Sequence, residues 1–210
     1  MNLREYQDKI NVILRDYSEK DMVLDGCMGM IAAAGRVVDM ARIWKLESGW
    51  QPLYRRFFYE SCGDILLHCT ELALGFNLDL ALMYEQAAGN FDVLKRYNEA
   101  AALEDTAIRL SIVCSIPAQY IFCSSGGMDE ALSDMDHSKA VFQSTVMAHV
   151  VGAITMVRDI LDFHCGATLE KCMEDNAQRL VSASFFGSRS VKTTEIPKST
   201  LLLYQAIEGG

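Results

Sequence analysis

An all-α helical bundle is the fold class this sequence predicts, and three observations predict it. Apolar residues recur at helical spacing along most of the chain, strand-type alternation is weak, and only 3 of 210 residues are proline. Half of the residues are hydrophobic, enough for a sizeable core.

Each element has its own signal. Leu3, Tyr6, Ile10, Ile13 and Leu14 fall at helical spacing and predict a helix over residues 3–17. Ser18 reads as the N-cap of a second helix, residues 19–46, with Asp21 at its third position. Gly49 and Pro52 bracket Trp50 and break the helical period. A third helix is predicted over 53–74, ending at Gly75, and a fourth over 78–88, before Gly89-Asn90. Residues 105–123 read as an apolar helix interrupted by Pro117, and Ser124-Ser125-Gly126-Gly127 as a loop. Residues 137–164 predict a long helix ending at Cys165-Gly166, and residues 168–183 another. The tail from Gly187, with Pro197 and the apolar run Leu201–Leu203, reads as an arm that docks on the body or on a partner.

The helix order of the first half returns in the second. Gly75-Phe76-Asn77-Leu78-Asp79 and Gly166-Ala167-Thr168-Leu169-Glu170 each follow a long apolar helix. The expected organisation is two related helical repeats, 1–100 and 101–186, and a C-terminal arm, 187–210.

A formal charge of −9 and a pI near 4.9 argue against DNA or RNA as a partner, because broad phosphate neutralisation needs a basic surface. They leave room for a local cationic pocket. The seven cysteines are scattered without a CxxC pair, which suits packing in a reducing cytoplasm more than disulfides or zinc. The polar start, Met1-Asn2-Leu3-Arg4-Glu5, is unlike a secretory leader. No uninterrupted apolar stretch reaches membrane-spanning length; residues 146–157 come closest and are cut by His149 and Thr155. The expected setting is therefore cytoplasmic, without a membrane.

The nearest approach to a chemical signature is Glu60, Asp64 and His68, spaced to form one polar stripe on a helix. Carboxylates in such a stripe could hold Mg²⁺. Around it, Gly29-Met30-Ile31-Ala32-Ala33-Ala34-Gly35-Arg36-Val37 and Glu60-Ser61-Cys62-Gly63-Asp64-Ile65-Leu66 lie on successive helices. In the second half, Gly166-Ala167-Thr168-Leu169-Glu170 leads into Asn176-Ala177-Gln178-Arg179-Leu180. In this order the segments resemble the motifs of the MazG-like all-α nucleoside triphosphate pyrophosphohydrolases, a superfamily that includes the phosphoribosyl-ATP pyrophosphohydrolases.

That resemblance implies a bundle whose carboxylates hold Mg²⁺, which bridges substrate phosphates and helps activate a water. Here the carboxylates are mostly replaced. Ala33 and Arg36 stand where the first motif has glutamates, and Ser61 where the second has its second glutamate, while Glu60 and Asp64 remain. Residues 106–128 and 137–157 contain no Asp or Glu, so the second half cannot supply the missing ligands. The expectation is a catalytically degenerate member that binds, and can sequester, a nucleotide or nucleotide-derived signal without hydrolysing it.

In that reading Arg36, His68, Asn176 and Arg179 are the ligand-binding candidates, since a guanidinium at a lost metal-ligand position repels a cation and favours a phosphate. The alternative is a Mg²⁺-dependent pyrophosphohydrolase using Glu60, Asp64 and Asp39, with Glu60 and Asp64 as metal ligands. A third expectation is a protein-interaction module without ligand. The resemblance also implies a homo-oligomer. Of the remaining polar features, Arg36 could pair with Asp39, and Lys95-Arg96 reads as a charged helix end. Asp134, Asp136 and His137 read as helix-capping residues rather than a metal cluster. Trp44 and Trp50 could stack a base or anchor a loop, and the eleven methionines suit core packing.

Overall fold

A computed structural model of the protein describes residues 1–47, 52–87, 101–123 and 126–185, with side chains to residue 182. Every element among these residues is a helix: α1 (Leu3–Ile13), α2 (Glu19–Leu46), α3 (Pro52–Gly75), α4 (Leu80–Ala87), α5 (Leu103–Cys123), α6 (Met128–Ser133), α7 (Met135–Cys165) and α8 (Leu169–Phe185). The all-α bundle is what the periodicity predicts.

Local chemistry fixes most boundaries. Asn2 and Ser18 each form a capping box, with Glu5 and Asp21 respectively, and so satisfy backbone donors that α1 and α2 would otherwise leave open. Pro52 opens α3, where its missing N–H costs nothing. The left-handed residue after α3 is Asn77, at φ 53°, rather than Gly75. Gly75 serves a different need: a Cβ there would lie 2.8 Å from the Glu19 carbonyl oxygen. Gly26 is equally confined, since its Cβ would meet the Leu72 amide nitrogen at 2.9 Å. These two glycines let α2 and α3 run antiparallel at close range.

Helix α3 is the axis of the fold. Phe58, Cys62, Ile65, Leu66, Cys69 and Leu72 are all buried on it, each large apolar side chain contributing roughly 1.5–3 kcal/mol. α7 packs antiparallel to α3: Phe142 meets Phe76 with ring centroids 4.9 Å apart at one end, and Arg55 donates to the Cys165 carbonyl at the other. α8 runs parallel to α3, with Tyr59 donating to Asp175 at 3.0 Å. α5 lies against α2 and α7, and α1 against α3 and α8. One continuous core takes residues from Tyr6 to Ala177, so the two halves of the chain bury their apolar faces against each other.

Several segments differ from the sequence expectation. α1 stops at Ile13, and the chain turns there as the Tyr17 amide bonds the Leu14 carbonyl at 2.8 Å. Pro117 does not interrupt α5: the helix runs through it and continues in a wider, π-helical turn at Gln119–Cys123. α7 likewise absorbs π-helical turns at Phe142–Val146 and Leu161–Cys165 and ends at Gly166, which adopts φ 60°. The short α6 was not legible from periodicity. The four residues 48–51, including Trp50, lie outside the described residues, as do Lys95-Arg96 and the arm at 187–210.

The expectation about apolar length is also corrected. Leu103–Cys123 and Met135–Cys165 are each long and apolar enough, by length and composition, to cross a membrane. His149 and Thr155 fail to break the second because they are satisfied within the helix. Thr155 donates to the Val151 carbonyl at 2.9 Å, and His149 Nδ1 lies 3.0 Å from the Thr145 carbonyl. In this fold 56% of the apolar window of α7 and 33% of that of α5 are buried inside the bundle.

Candidate functional site

The fold brings segments singled out from the sequence together where α2, α3 and α8 meet. Arg36 is carried on α2, Asp64 on α3, and Asn176 and Arg179 one turn apart on α8. Asp64 sits between the two arginines. Its Oδ2 accepts from Arg36 Nη2 at 2.7 Å, and its Oδ1 accepts from Arg179 Nη2. Asn176 Nδ2 reaches the same Oδ1 at 3.5 Å. The arginines keep 47% and 40% of their side chains exposed while Asp64 keeps 20%, so the bridge opens to solvent on its guanidinium side.

Asn176 is held in one orientation. The buried Tyr6 hydroxyl donates to its Oδ1 at 2.7 Å, which fixes which end of the amide faces α3. Gly63 makes room for it, since a Cβ at that position would lie 2.9 Å from Asn176 Nδ2. Burial first, then the surrounding thiols and carboxylates, pushes the Tyr6 hydroxyl well above its ordinary value, so it acts as a donor.

Beside the bridge lies a cleft of about 300 Å³, lined by Arg56, Tyr59, Glu60, Cys172, Asp175 and Arg179 along with Gly63 and Asn176. Arg56 Nε donates to Glu60 at 2.8 Å, one turn away on α3. Tyr59 spans the cleft to Asp175; burial raises its hydroxyl far above the usual range. Cys172 lies at the bottom, where burial pushes its thiol up to about 12 and leaves it a poor nucleophile. The cleft thus balances two cations, Arg56 and Arg179, against two carboxylates, Glu60 and Asp175, over a largely apolar wall that includes Tyr59.

Of the residues singled out from sequence, Arg36, Glu60, Asp64, Asn176 and Arg179 gather here. Asp39 and His68 do not. Asp39 lies on exposed α2 surface, 3.8 Å from Arg42, and the expected Arg36–Asp39 pair is replaced by Arg36–Asp64. His68 turns from the stripe into the α2–α3 interface. There its Nδ1 lies 2.6 Å from Glu71, and its ring fills the space beside Gly29. Glu71 and Asp25 complete this second polar cluster; Asp25 is pushed above the ordinary carboxylate range by burial and then by the Glu71 charge. Trp44 packs against the core, and Asp134 caps α7 by accepting from the His137 amide at 3.0 Å.

Magnesium does not fit the groups as placed. Glu60 is held by Arg56, both oxygens of Asp64 are held by arginines, and Asp39 stands elsewhere. Ala33 is buried in the core, and the Ser61 hydroxyl turns back to the Phe57 carbonyl at 2.8 Å. Among the described residues, no group of three or more His, Cys, Asp or Glu side chains could hold a metal ion. Tyr6, Tyr59, Arg56 and Asp175 are site residues that sequence reasoning missed. Only the Arg56–Glu60 spacing carried a signal, as an i,i+4 pair.

No protein-family model matches the chain, and neither a curated protein nor a solved structure does.

Proposed function

We propose that this protein is a degenerate MazG-like bundle that binds a nucleotide or nucleotide-derived signal at the α2–α3–α8 junction and does not hydrolyse it. One observation carries the reading: Arg36 and Arg179 converge from different helices on Asp64, where the resembled enzymes would gather carboxylates around a metal. Guanidinium forks recognise phosphate oxygens and repel Mg²⁺, so the substitution exchanges phosphoryl chemistry for anion recognition. The wall of Tyr59 offers a face for a base, and the pinned Asn176 amide offers a directional donor.

In this reading the partner is a small phosphorylated molecule, with neither DNA nor RNA involved, and the chain works as a homo-oligomer in a reducing cytoplasm. Isothermal titration against a nucleotide panel, followed by product analysis with Mg²⁺, tests it. Micromolar or tighter binding of a nucleotide without turnover is the expected result. Mg²⁺-dependent release of pyrophosphate would reject it and restore the hydrolase alternative.

A second reading, an interaction module without ligand, draws on Ile108, Ile112 and Tyr120, which are exposed on α5. A stable complex with another protein, together with no thermal shift from any nucleotide, would select it.

A further inference from the structure

The Asp64 carboxylate occupies the space that a bound anion would need. Each of its two oxygens is taken by a different arginine, from α2 on one side and α8 on the other. That is how two guanidinia share a phosphate, with a side chain in the phosphate's place. We infer that Asp64 is a built-in occupant of the anion site, and that a diphosphate-type ligand binds by displacing it from Arg36 and Arg179. This rests on the anion-binding reading above and adds the ligand's charged group and the way the site is regulated.

Three features of the site support displacement over simple addition. The arginines are half-exposed, so an incoming anion reaches them from solvent without first opening the core. Their contact with Asp64 is monovalent, and ion pairs this exposed are held weakly, so an anion with more charge and more oxygens competes well. Asn176 stays in place when Asp64 leaves, because Tyr6 holds it from the opposite side. A single phosphate offers little advantage over a tethered carboxylate, whereas adjacent phosphates can engage both arginines and extend into the neighbouring cleft, where Arg56 lies. Asp64 is also the one group through which α2 and α8 are both tied to α3 by these arginines. Ligand binding would therefore release two inter-helix ties at once, which gives the occupied protein a way to signal to a partner.

The test uses inorganic pyrophosphate as the probe, with affinity measured by titration calorimetry on the full chain. Asp64→Asn keeps the shape and removes the charge, and is expected to bind pyrophosphate about tenfold more tightly than wild type. Adding Arg36→Gln and Arg179→Gln to that variant should abolish the gain. In the wild-type background, which does not depend on Asp64→Asn folding, Arg36→Gln and Arg179→Gln should each weaken binding severalfold. Arg4→Gln, which breaks an ion pair with Asp79 away from the site, should leave it unchanged.

Unchanged or weaker pyrophosphate binding by folded Asp64→Asn would overturn the inference and make the bridge a structural clasp. Wild-type binding insensitive to both arginine substitutions would overturn it as well. The two proposals separate cleanly. Nucleotide binding by wild type without a gain in Asp64→Asn defeats displacement alone. A gain in Asp64→Asn without nucleotide binding by wild type defeats the nucleotide reading alone.

Discussion

Helices α3 and α7 are antiparallel neighbours, yet they use their acidic residues in opposite ways. On α3, Asp64 is bonded by Arg36, 28 positions earlier, and by Arg179, 115 positions later. On α7, Asp159 is bonded by the adjacent Arg158, which donates from Nε and Nη2 and reaches Tyr84 with Nη1 at 3.0 Å. The Asp64 side chain is 20% exposed and that of Asp159 is fully buried. A charge satisfied by its own neighbour and sealed from water supports the scaffold. A charge satisfied by two distant, half-exposed arginines is held by partners that solvent can reach. The candidate site therefore draws on α3, and Asp159 of α7 belongs to the frame.

The contrast breaks most visibly if both aspartates respond alike to removal. Asp159→Ala is expected to destabilise the fold by about 3 kcal/mol, the low end for a buried pair, because the Arg158 guanidinium that loses its counter-charge is 28% exposed and keeps its bond to Tyr84. Asp64→Asn loses only partly exposed pairs, worth about 0–1 kcal/mol each. Urea unfolding of both variants compares them directly. Equal losses would show that Asp64 is as structural as Asp159.

Tyr6→Phe comes next in size. Removing the hydroxyl leaves Asn176 Oδ1 without its donor in a buried setting, at about 1–3 kcal/mol. It also frees the amide to rotate, so ligand affinity should fall further than the loss of stability alone explains. A variant destabilised to this degree but with wild-type affinity would show that the orientation of Asn176 does not matter to the site.

How far the sequence disclosed this arrangement depends on whether a feature was local. Helix α2 was legible to the residue, because Ser18 and Asp21 form its cap within four positions. The start of α3 was legible within one residue, from Pro52. The run of π-helical turns in α5 and α7 was not, because their register is set by packing against other helices. The same division holds at the site. Arg36, Asp64, Asn176 and Arg179 stood out as motif positions, yet that they converge on one carboxylate is a long-range fact. His68 shows the converse: its spacing placed it on the stripe with Asp64, but burial and Glu71 turned it into the α2–α3 interface. Spacing shows which residues share a helix face, and it does not show which neighbour that face meets.

Gly63→Ala sharpens the comparison on a smaller scale. The new Cβ would lie 2.9 Å from Asn176 Nδ2 and 3.1 Å from Asn176 Cβ, and Tyr6 prevents the amide from swinging clear. Overpacking of this kind costs about 1–3 kcal/mol, while replacing glycine inside a helix returns up to about 1. The net loss should be near 1 kcal/mol, with a clear drop in pyrophosphate affinity as α8 is pushed from α3. Thermal melts and titration of the same sample measure both; unchanged affinity would place the ligand outside the α3–α8 contact.

The smallest effect concerns the second polar cluster of α3, and its sign is opposite. Asp25 is raised above its ordinary value of 3.8 by partial burial and by the Glu71 charge, an effect the nearby His68 offsets only in part. Because the folded value exceeds the unfolded one, the stabilising contribution is complete below about pH 3.8 and is lost as pH rises through the folded value. The ionised form of Asp25 is therefore a net burden on the fold. Asp25→Asn removes it and should raise Tm slightly at pH 7, with the advantage shrinking towards zero as pH falls towards 3.8. Melting curves of both proteins across that range measure the difference. An advantage that stayed constant with pH would trace to the new amide's contacts, and the Asp25–Glu71 repulsion would be dismissed.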